Sequence, residues 1–153
     1  MRYQLNKKDY ETIIEYSSFI IQNTKNIAFN CANISALIKA VITDNHNIPA
    51  KMIAGHFNYQ GKRLFNCTSN IPFDYSKKVL NEIWDGHCWV QIEDYILDLT
   101  ITKSSKISFP QLKKEHILFE SIENLRNNEI IYTPVFTIED KVIDGLIKGF
   151  NFQ

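Results

Sequence analysis

The chain has 153 residues, 17 basic and 17 acidic side chains, a formal net charge of zero and 44% hydrophobic residues. That length suits one domain with a buried core, and the chain shows no repeat or linker, so we predict a single domain over residues 1–153. The balanced charge gives no overall field for binding nucleic acid, and no apolar run is long enough to span a bilayer. We therefore expect neither nucleic acid nor a membrane as a partner.

The cysteine count and the amino-terminal residues bear on location. Three cysteines are an odd number, which favours free thiols in a reducing compartment. The first residues lack the apolar core of a secretion signal. We therefore expect a cytoplasmic protein, with secretion by a non-classical route left open.

Hydrophobic spacing predicts two helices at the start of the chain. In the range Lys7–Gln22, isoleucines and a tyrosine recur at helical intervals. A second helix is predicted over Cys31–Asn45, whose apolar positions follow a regular i, i+3, i+4 pattern. Asn30 stands where this second helix would have its N-cap.

The middle of the chain is typical of strands. We predict strands over Lys51–Tyr59 and Arg63–Thr68, joined by a turn at Gln60-Gly61. Two further strands, His87–Glu93 and Tyr95–Thr100, follow a short loop-rich stretch. Helices followed by antiparallel strands indicate an α+β fold, with the amino-terminal helices packed on the sheet.

The remaining segments give weaker patterns. We predict short helices over Ser76–Ile83 and Gln111–Phe119, a strand over Ile130–Phe136 and a last helix over Ile138–Lys148. These segments would complete the same α+β domain. None of them carries a residue that we assign to a site.

A histidine and an aspartate lie on the two strands of one predicted hairpin. If Glu93-Asp94 forms a two-residue turn, Trp89 pairs with Asp98, and His87 lies diagonal to Asp98 on the same face. A shift of one residue would move Asp98 to the opposite face. The register therefore decides whether the carboxylate can reach the imidazole.

Cys31 is the candidate nucleophile because it opens the second helix on its apolar face. Unpaired backbone N–H groups and the positive end of the helix dipole favour a thiolate there, and the same amides could bind an oxyanion. Taken alone, a buried cysteine is more often a small hydrophobe. Together with His87 and Asp98 it forms the set that an activated thiol needs.

Such a set would work by acyl transfer. His87 would take the proton of Cys31, and Asp98 would fix the imidazole tautomer. The thiolate would attack a carbonyl, and water or an amine would resolve the acyl-enzyme. Trp89 is expected to wall the pocket or to shield the His87–Asp98 bond, and Trp89 and Asn30 are the predicted substrate contacts. This chemistry needs no cofactor and no metal.

Four ordered motifs around these residues resemble the transglutaminase-like superfamily, whose fold is related to papain. They extend from Asn30 to Thr100, nearly half the chain. The motifs are Cys31-Ala32-Asn33-Ile34-Ser35-Ala36-Leu37, Ile48-Pro49-Ala50-Lys51, His87-Cys88-Trp89-Val90 and Asp98-Leu99-Thr100. The chain is most similar to the compact bacterial members of that superfamily.

The resemblance implies a papain-like core with Cys31 as nucleophile, His87 as base and Asp98 as the orienting acid. It implies a peptide or protein substrate attacked at a peptide bond or at a glutamine side chain. Proteolysis and deamidation are equally open, and amine transfer is less favoured. A partner protein that presents the substrate is also left open, as is the oligomeric state.

A metal site is the first alternative. Zinc held by Cys31, Cys67, His87 and Cys88 is conceivable, but the sequence has no Cys-x-x-Cys or His-x-x-x-His spacing. Strand alternation would also place Cys88 and His87 on opposite faces. A calcium-loop pattern is absent as well. We therefore predict no metal.

A binding module is the second alternative. Ala32 and Gln91 stand where the superfamily often has an aromatic and an acidic residue, and the residues before Cys31 lack its frequent glycine. Such departures would fit a domain that has lost catalysis and binds a peptide through a cleft near Trp89. This alternative predicts peptide affinity without turnover.

Overall fold

Helices and antiparallel strands are mixed in this chain, as the order of its predicted elements indicated. The computed structural model describes residues 4–25, 27–28, 30–77, 79–80, 84–105, 107, 109 and 116–150. These residues form five helices, an antiparallel sheet of six strands and a two-stranded ribbon. The α+β class is confirmed. None of the described helices is long and apolar enough to cross a membrane.

The helices differ greatly in length. The two longest come first, as predicted, and two of the later ones have only five or six residues. Their bounds are α1 Lys7–Asn23, α2 Cys31–His46, α3 Ile101–Ser105, α4 Ile122–Asn127 and α5 Asp140–Lys148.

The strands of the main sheet run in the order β2-β1-β5-β6-β7, and β8 pairs with the other edge of β1. Strands β3 and β4 form the separate ribbon. The bounds are β1 Lys51–Tyr59, β2 Lys62–Phe65, β3 Phe73–Asp74, β4 Val79–Leu80, β5 His87–Ile92, β6 Tyr95–Asp98, β7 Leu118–Ser121 and β8 Ile130–Thr137.

The two faces of the sheet pack against different apolar clusters. On one face lie isoleucines of α1 and α2 together with Val90 and Ile92 of β5. On the other lie aromatic side chains, among them Phe57, Trp89 and Tyr132. Because side chains alternate along a strand, β5 contributes Val90 and Ile92 to the helix face and Trp89 to the aromatic face.

The β5–β6 hairpin has the register that a Glu93-Asp94 turn predicts. Ile92 pairs with Tyr95, and Val90 pairs with Leu97. Glu93 takes a left-handed conformation with φ 54° in this turn. The register places Trp89 opposite Asp98 and sends His87 and Asp98 to one face of the sheet, as predicted.

The sheet divides beside β1. Strand β1 pairs with β5 over Lys51–Gly55 and with β2 over Phe57–Tyr59, while β8 occupies its other edge. Strands β5 and β2 therefore lie along the same edge of β1 and separate near His56. The first residue of β5, His87, lies at this division.

Two predicted helices are wrong where the structure describes them. Within Ser76–Ile83, Val79 and Leu80 form strand β4, because Val79 pairs with Asp74 across a short turn; residues 78 and 81–83 lie outside the described part. Within Gln111–Phe119, the last two residues belong to β7, which pairs with β6, and residues 111–115 lie outside it. Strand pairing overrides local helical propensity at both places.

Candidate active site

The carboxylate of Asp98 is fixed by the chain that follows it. Its Oδ1 accepts hydrogen bonds from the backbone N–H groups of Thr100 and Ile101, at 3.0 and 3.1 Å, and from the Thr100 hydroxyl at 3.2 Å. These bonds end β6 at Asp98, two residues earlier than predicted, and begin α3. The Oδ1 bonds thus hold the carboxylate of Asp98 in place and leave Oδ2 available for other hydrogen bonds.

Oδ2 of Asp98 binds the imidazole of His87. The Nε2 of His87 lies 2.6 Å from this oxygen, and both side chains are buried. The hydroxyl of Tyr132 donates a second bond to the same oxygen at 2.8 Å. Because Nε2–H donates to a carboxylate, Nδ1 is the nitrogen left to exchange a proton.

Aromatic rings enclose His87. The ring of Phe65 stacks on the imidazole with centroids 4.8 Å apart, and Phe57, Trp89 and Tyr132 lie at 6.1 to 6.4 Å. His87 itself has no solvent exposure. These rings keep water from the His87–Asp98 bond, and the face of Phe65 favours a charged imidazolium.

Cys31 approaches this pair from the helix side of the sheet. It is the first residue of α2, is half-buried, and packs against the cluster that contains Cys67 and Cys88. The first intrahelical N–H bond of α2 is that of Ile34 to the Asn30 carbonyl. The Cys31 sulfur therefore lies in the first turn, where the helix dipole favours negative charge.

Charge coupling links the thiol to the imidazole. The pKa of Cys31 is lowered well below its usual value, first by the neighbouring Cys88 thiol and then by the His87 imidazole and its charge, which together outweigh burial. Burial alone would lower the pKa of His87, but Asp98, and after it Cys31, raise it to about 10. The favoured state is a thiolate beside an imidazolium.

The Cys31–His87 contact is looser than the His87–Asp98 bond. Nδ1 of His87 is buried and makes no hydrogen bond of ordinary length and angle to the described residues. The thiol is nevertheless close enough to shift the pKa of the ring. Catalytic hydrogen bonds in unliganded sites are often long and tighten when substrate binds.

Asp98 stays ionised in spite of its burial. Desolvation would raise its pKa, but the charge and bond of His87, the Thr100 N–H and the Tyr132 hydroxyl outweigh it and lower the pKa. Burial, and after it the charge of Asp98, raise the pKa of Tyr132 well above its usual value, so the Tyr132 hydroxyl remains a donor. The result is a buried carboxylate with each oxygen satisfied.

The two predicted substrate contacts differ in exposure, since Trp89 is buried and Asn30 is half-buried. Trp89 is 0% exposed and packs against Tyr132, with ring centroids 4.9 Å apart, so it cannot touch a substrate in this conformation. It is placed to shield the His87–Asp98 bond instead. Asn30 does stand at the N-cap of α2, but its side chain makes no cap bond and donates to the Ala28 carbonyl at 3.3 Å.

Three neighbours of the triad could not be found from the sequence. Tyr132 lies on β8, and nothing local ties it to Asp98, which is 34 residues away. Phe65 reaches His87 only because the sheet divides near that point. Cys88 lies on the face that strand alternation predicts, in the apolar cluster against which Cys31 packs.

The described residues form no metal centre, and a cavity that they line lies away from the candidate triad. Among the described residues, no group of three or more metal-binding side chains converges, and all three cysteines are free. A cavity of about 510 Å³ lies at the opposite end of α2, lined by residues such as Thr43, Asn47 and Gln91. It touches no triad residue, so we do not assign the chemistry to it.

Comparison with protein-family models, with curated proteins and with solved structures finds no match to this chain. The geometry of the site and the motifs of the sequence are therefore the basis on which a function can be proposed.

Proposed function

We propose that this protein is a cysteine-dependent hydrolase or acyltransferase that acts on an amide carbonyl through Cys31, His87 and Asp98. The observation that carries the proposal is the position of His87, which bonds to a fixed carboxylate on one side and couples to a helix-start thiol on the other. The carboxylate bonds to the ring directly, and the thiol acts on the pKa of the ring. This is the functional order of a nucleophile, a base and an orienting acid.

The reaction would proceed in two stages. The Cys31 thiolate attacks the carbonyl carbon of a peptide bond or a glutamine side chain, and backbone N–H groups at the start of α2 stabilise the oxyanion. The His87 imidazolium then protonates the departing amine or ammonia, and a thioester to Cys31 remains. His87, now neutral, takes a proton from the incoming water, which hydrolyses the thioester. The papain-like, transglutaminase-like core that the motifs suggest belongs to this same proposal.

The binding-module alternative receives less support. It depends on a peptide cleft near Trp89, but that side chain has no exposed surface. A module without catalysis would also have no need to lower the pKa of Cys31. We therefore retain the enzyme as the proposed function.

Acylation of Cys31 tests the proposal. We expect p-nitrophenyl acetate to give a burst of nitrophenol and a hydroxylamine-sensitive acetyl group on Cys31, located by peptide mass mapping. Cys31→Ala should abolish the burst, and Cys67→Ala should retain it, because burial raises the pKa of that thiol. Wild-type protein that acquires no acetyl group at Cys31, or that is acetylated equally at Cys67, would contradict the proposal.

The type of acyl transfer can be assigned with a protein substrate. After incubation with unfolded casein, new amino termini indicate proteolysis, glutamate in place of glutamine indicates deamidation, and a captured fluorescent amine indicates transamidation. Cys31→Ala serves as the blank for all three readouts. Our proposal expects one of the first two products.

A further inference from the structure

A second histidine lies on the strand beside β5 and takes no part in the triad. This residue, His56 of β1, falls where the sheet divides. Its neighbour Gly55 pairs with His87 of β5, and its other neighbour Phe57 pairs with Phe65 of β2. His56 therefore lies between the start of β5 and the end of β2, next to the candidate triad.

A hydrogen bond to the ring of His56 fixes which nitrogen carries a hydrogen. The backbone N–H of Cys67 donates to Nδ1 of His56 at 2.9 Å. Because Nδ1 accepts this bond, the neutral imidazole carries its hydrogen on Nε2. The side chain is half-buried, and its Nε2 makes no hydrogen bond to the described residues. The Nε2–H group is therefore a positioned donor with a bond still to make.

Strand alternation sends this ring to the helix side of the sheet. Met52 and Ala54, which precede His56 on β1, belong to the apolar cluster against which Cys31 packs. Side chains at every second position of a strand share one face, so His56 lies on the face of Met52 and Ala54. Cys67, whose N–H holds the ring, belongs to the same cluster. His56 and Cys31 are therefore on one side of the sheet.

The two side chains also lie at the same end of the sheet. Helix α2 packs on β1 and β5. Near its end, Thr43 lines the cavity of about 510 Å³ together with Lys51, where β1 begins, and Gln91, near the end of β5. Cys31, at the opposite end of α2, therefore lies towards the start of β5. The helix rises about 18 Å from Cys31 to Thr43, and β1 advances about 17 Å from Lys51 to His56, so Cys31 and His56 are at the same level.

We propose that His56 is a catalytic residue whose Nε2–H group donates a hydrogen bond to the oxyanion formed at Cys31. This inference rests on the proposed function, because it adds a side-chain donor to the backbone N–H groups of α2 in that reaction. When the thiolate adds to the carbonyl carbon, the π electrons move to oxygen, and Nε2–H stabilises the negative charge. His56 keeps its proton throughout. When the C=O bond forms again, the amine or ammonia leaves with the proton of His87.

Two reactions of the same thiol test the inference. Acetylation by p-nitrophenyl acetate passes through an oxyanion, whereas alkylation by iodoacetamide displaces iodide from a saturated carbon and forms none. We expect His56→Phe to slow acetylation of Cys31 by about 100-fold, the effect of losing one oxyanion donor, and to leave the alkylation rate unchanged. His56→Gln keeps both an N–H donor and an acceptor for the Cys67 N–H, so it should restore most of the acetylation rate.

His46→Phe is the matched control. His46 is also half-buried, but it is the last residue of α2, and its ring contacts Tyr16 with centroids 5.0 Å apart. The same substitution at this distant position should leave the rates of acetylation and alkylation at their wild-type values.

The possible results separate the two proposals. If the wild-type protein acquires no acetyl group at Cys31, the proposed function fails and this inference fails with it. If His56→Phe is acetylated as fast as wild type, this inference alone is overturned. The same holds if His56→Phe slows acetylation and alkylation equally, because the effect is then on the thiolate. It also holds if His56→Gln is acetylated as slowly as His56→Phe.

A measurement on the wild-type protein covers the case in which His56→Phe does not fold. Acetaldehyde adds to a thiolate as a hemithioacetal, whose oxygen takes the position of the oxyanion. In protein labelled with ¹⁵N-histidine, the Nε2 resonance of His56 should shift when ¹³C-acetaldehyde is added, and it should stay in place in Cys31→Ala. An adduct at Cys31, seen by its ¹³C signal, without a shift of the His56 resonance contradicts this inference alone. The absence of an adduct contradicts both proposals.

Discussion

At the scale of single residues, Asp98 connects the local chain to the chemistry of the site. One of its oxygens closes the turn that starts α3, and the other holds His87 and Tyr132. A carboxylate buried in this way is stable only while its partners remain charged or hydrogen-bonded. The site should therefore contribute to the stability of the fold within a limited pH range.

That pH range follows from the two pKa shifts. The His87 pKa is raised from 6.5 to about 10, so its contribution to the free energy of unfolding is complete below 6.5 and is lost as the pH rises through about 10. The Asp98 pKa is lowered from 3.8, so its contribution is complete above 3.8 and is lost as the pH falls through the folded-state value. The pair stabilises most between these limits.

Thermal unfolding of Asp98→Asn checks this range. We expect the difference in Tm between wild type and Asp98→Asn to be largest from about pH 4 to 6.5 and to shrink steadily towards about pH 10. Asp140→Asn, which removes an exposed carboxylate paired with Lys39, is the matched control and should show a small difference. A Tm difference for Asp98→Asn that stays constant from pH 6 to 11 would contradict the ion pair.

At the scale of secondary-structure elements, the division of the sheet beside β1 creates the site. The register between β1 and β8 shifts between Ala54 and Gly55, with Val135 of β8 as the extra residue, next to the pairing of Gly55 with His87. A Cβ at Gly55 would lie 2.0 Å from the Thr133 carbonyl oxygen and 2.7 Å from the Trp89 ring. This close approach leaves room for glycine alone.

Gly55→Ala should therefore be strongly destabilising. We expect a loss of about 3 kcal/mol in the free energy of unfolding, because backbone and ring must both move. Gly61→Ala is the control: nothing lies within 4 Å of the position that its methyl group would take, and its φ of +79° alone should cost about 1 kcal/mol. Denaturant titration of both variants measures the difference. Equal losses of unfolding free energy in the two variants would contradict the close approach of the Thr133 backbone and the Trp89 ring to Gly55.

The elements also show what the sequence could and could not predict. The first two helices, β1, β5 and the β5–β6 turn follow from hydrophobic period and turn length, so the sequence predicts that His87 and Asp98 share a face. Strand β7 depends on its distant partner β6, and β4 on a short ribbon with β3, whereas the local patterns at both places suggest helices. The sequence places Trp89 at a cleft because the alternation of a strand assigns a face but not its depth.

At the scale of the whole molecule, the candidate site lies where two apolar clusters, one on each face of the sheet, meet at the start of β5. Cys31 packs against the apolar cluster that contains Cys67 and Cys88, aromatic rings surround His87, and the end of β5 lies between them. Neither cluster holds the complete site. Tyr132 on β8 contacts Asp98, and Phe65 on β2 contacts His87. The local sequence cannot predict these contacts, because only the folded sheet brings the residues together.

The central claim is that Cys31 and His87 rest as a thiolate and an imidazolium, with Asp98 behind the ring. The most direct test is NMR titration of the His87 imidazole in wild type and in Cys31→Ala. We expect the wild-type ring to stay protonated until about pH 10 and to lose its proton at lower pH in Cys31→Ala, because the thiolate no longer supports the charge. A His87 pKa near 6.5 in wild type, unchanged in Cys31→Ala, would contradict the claim.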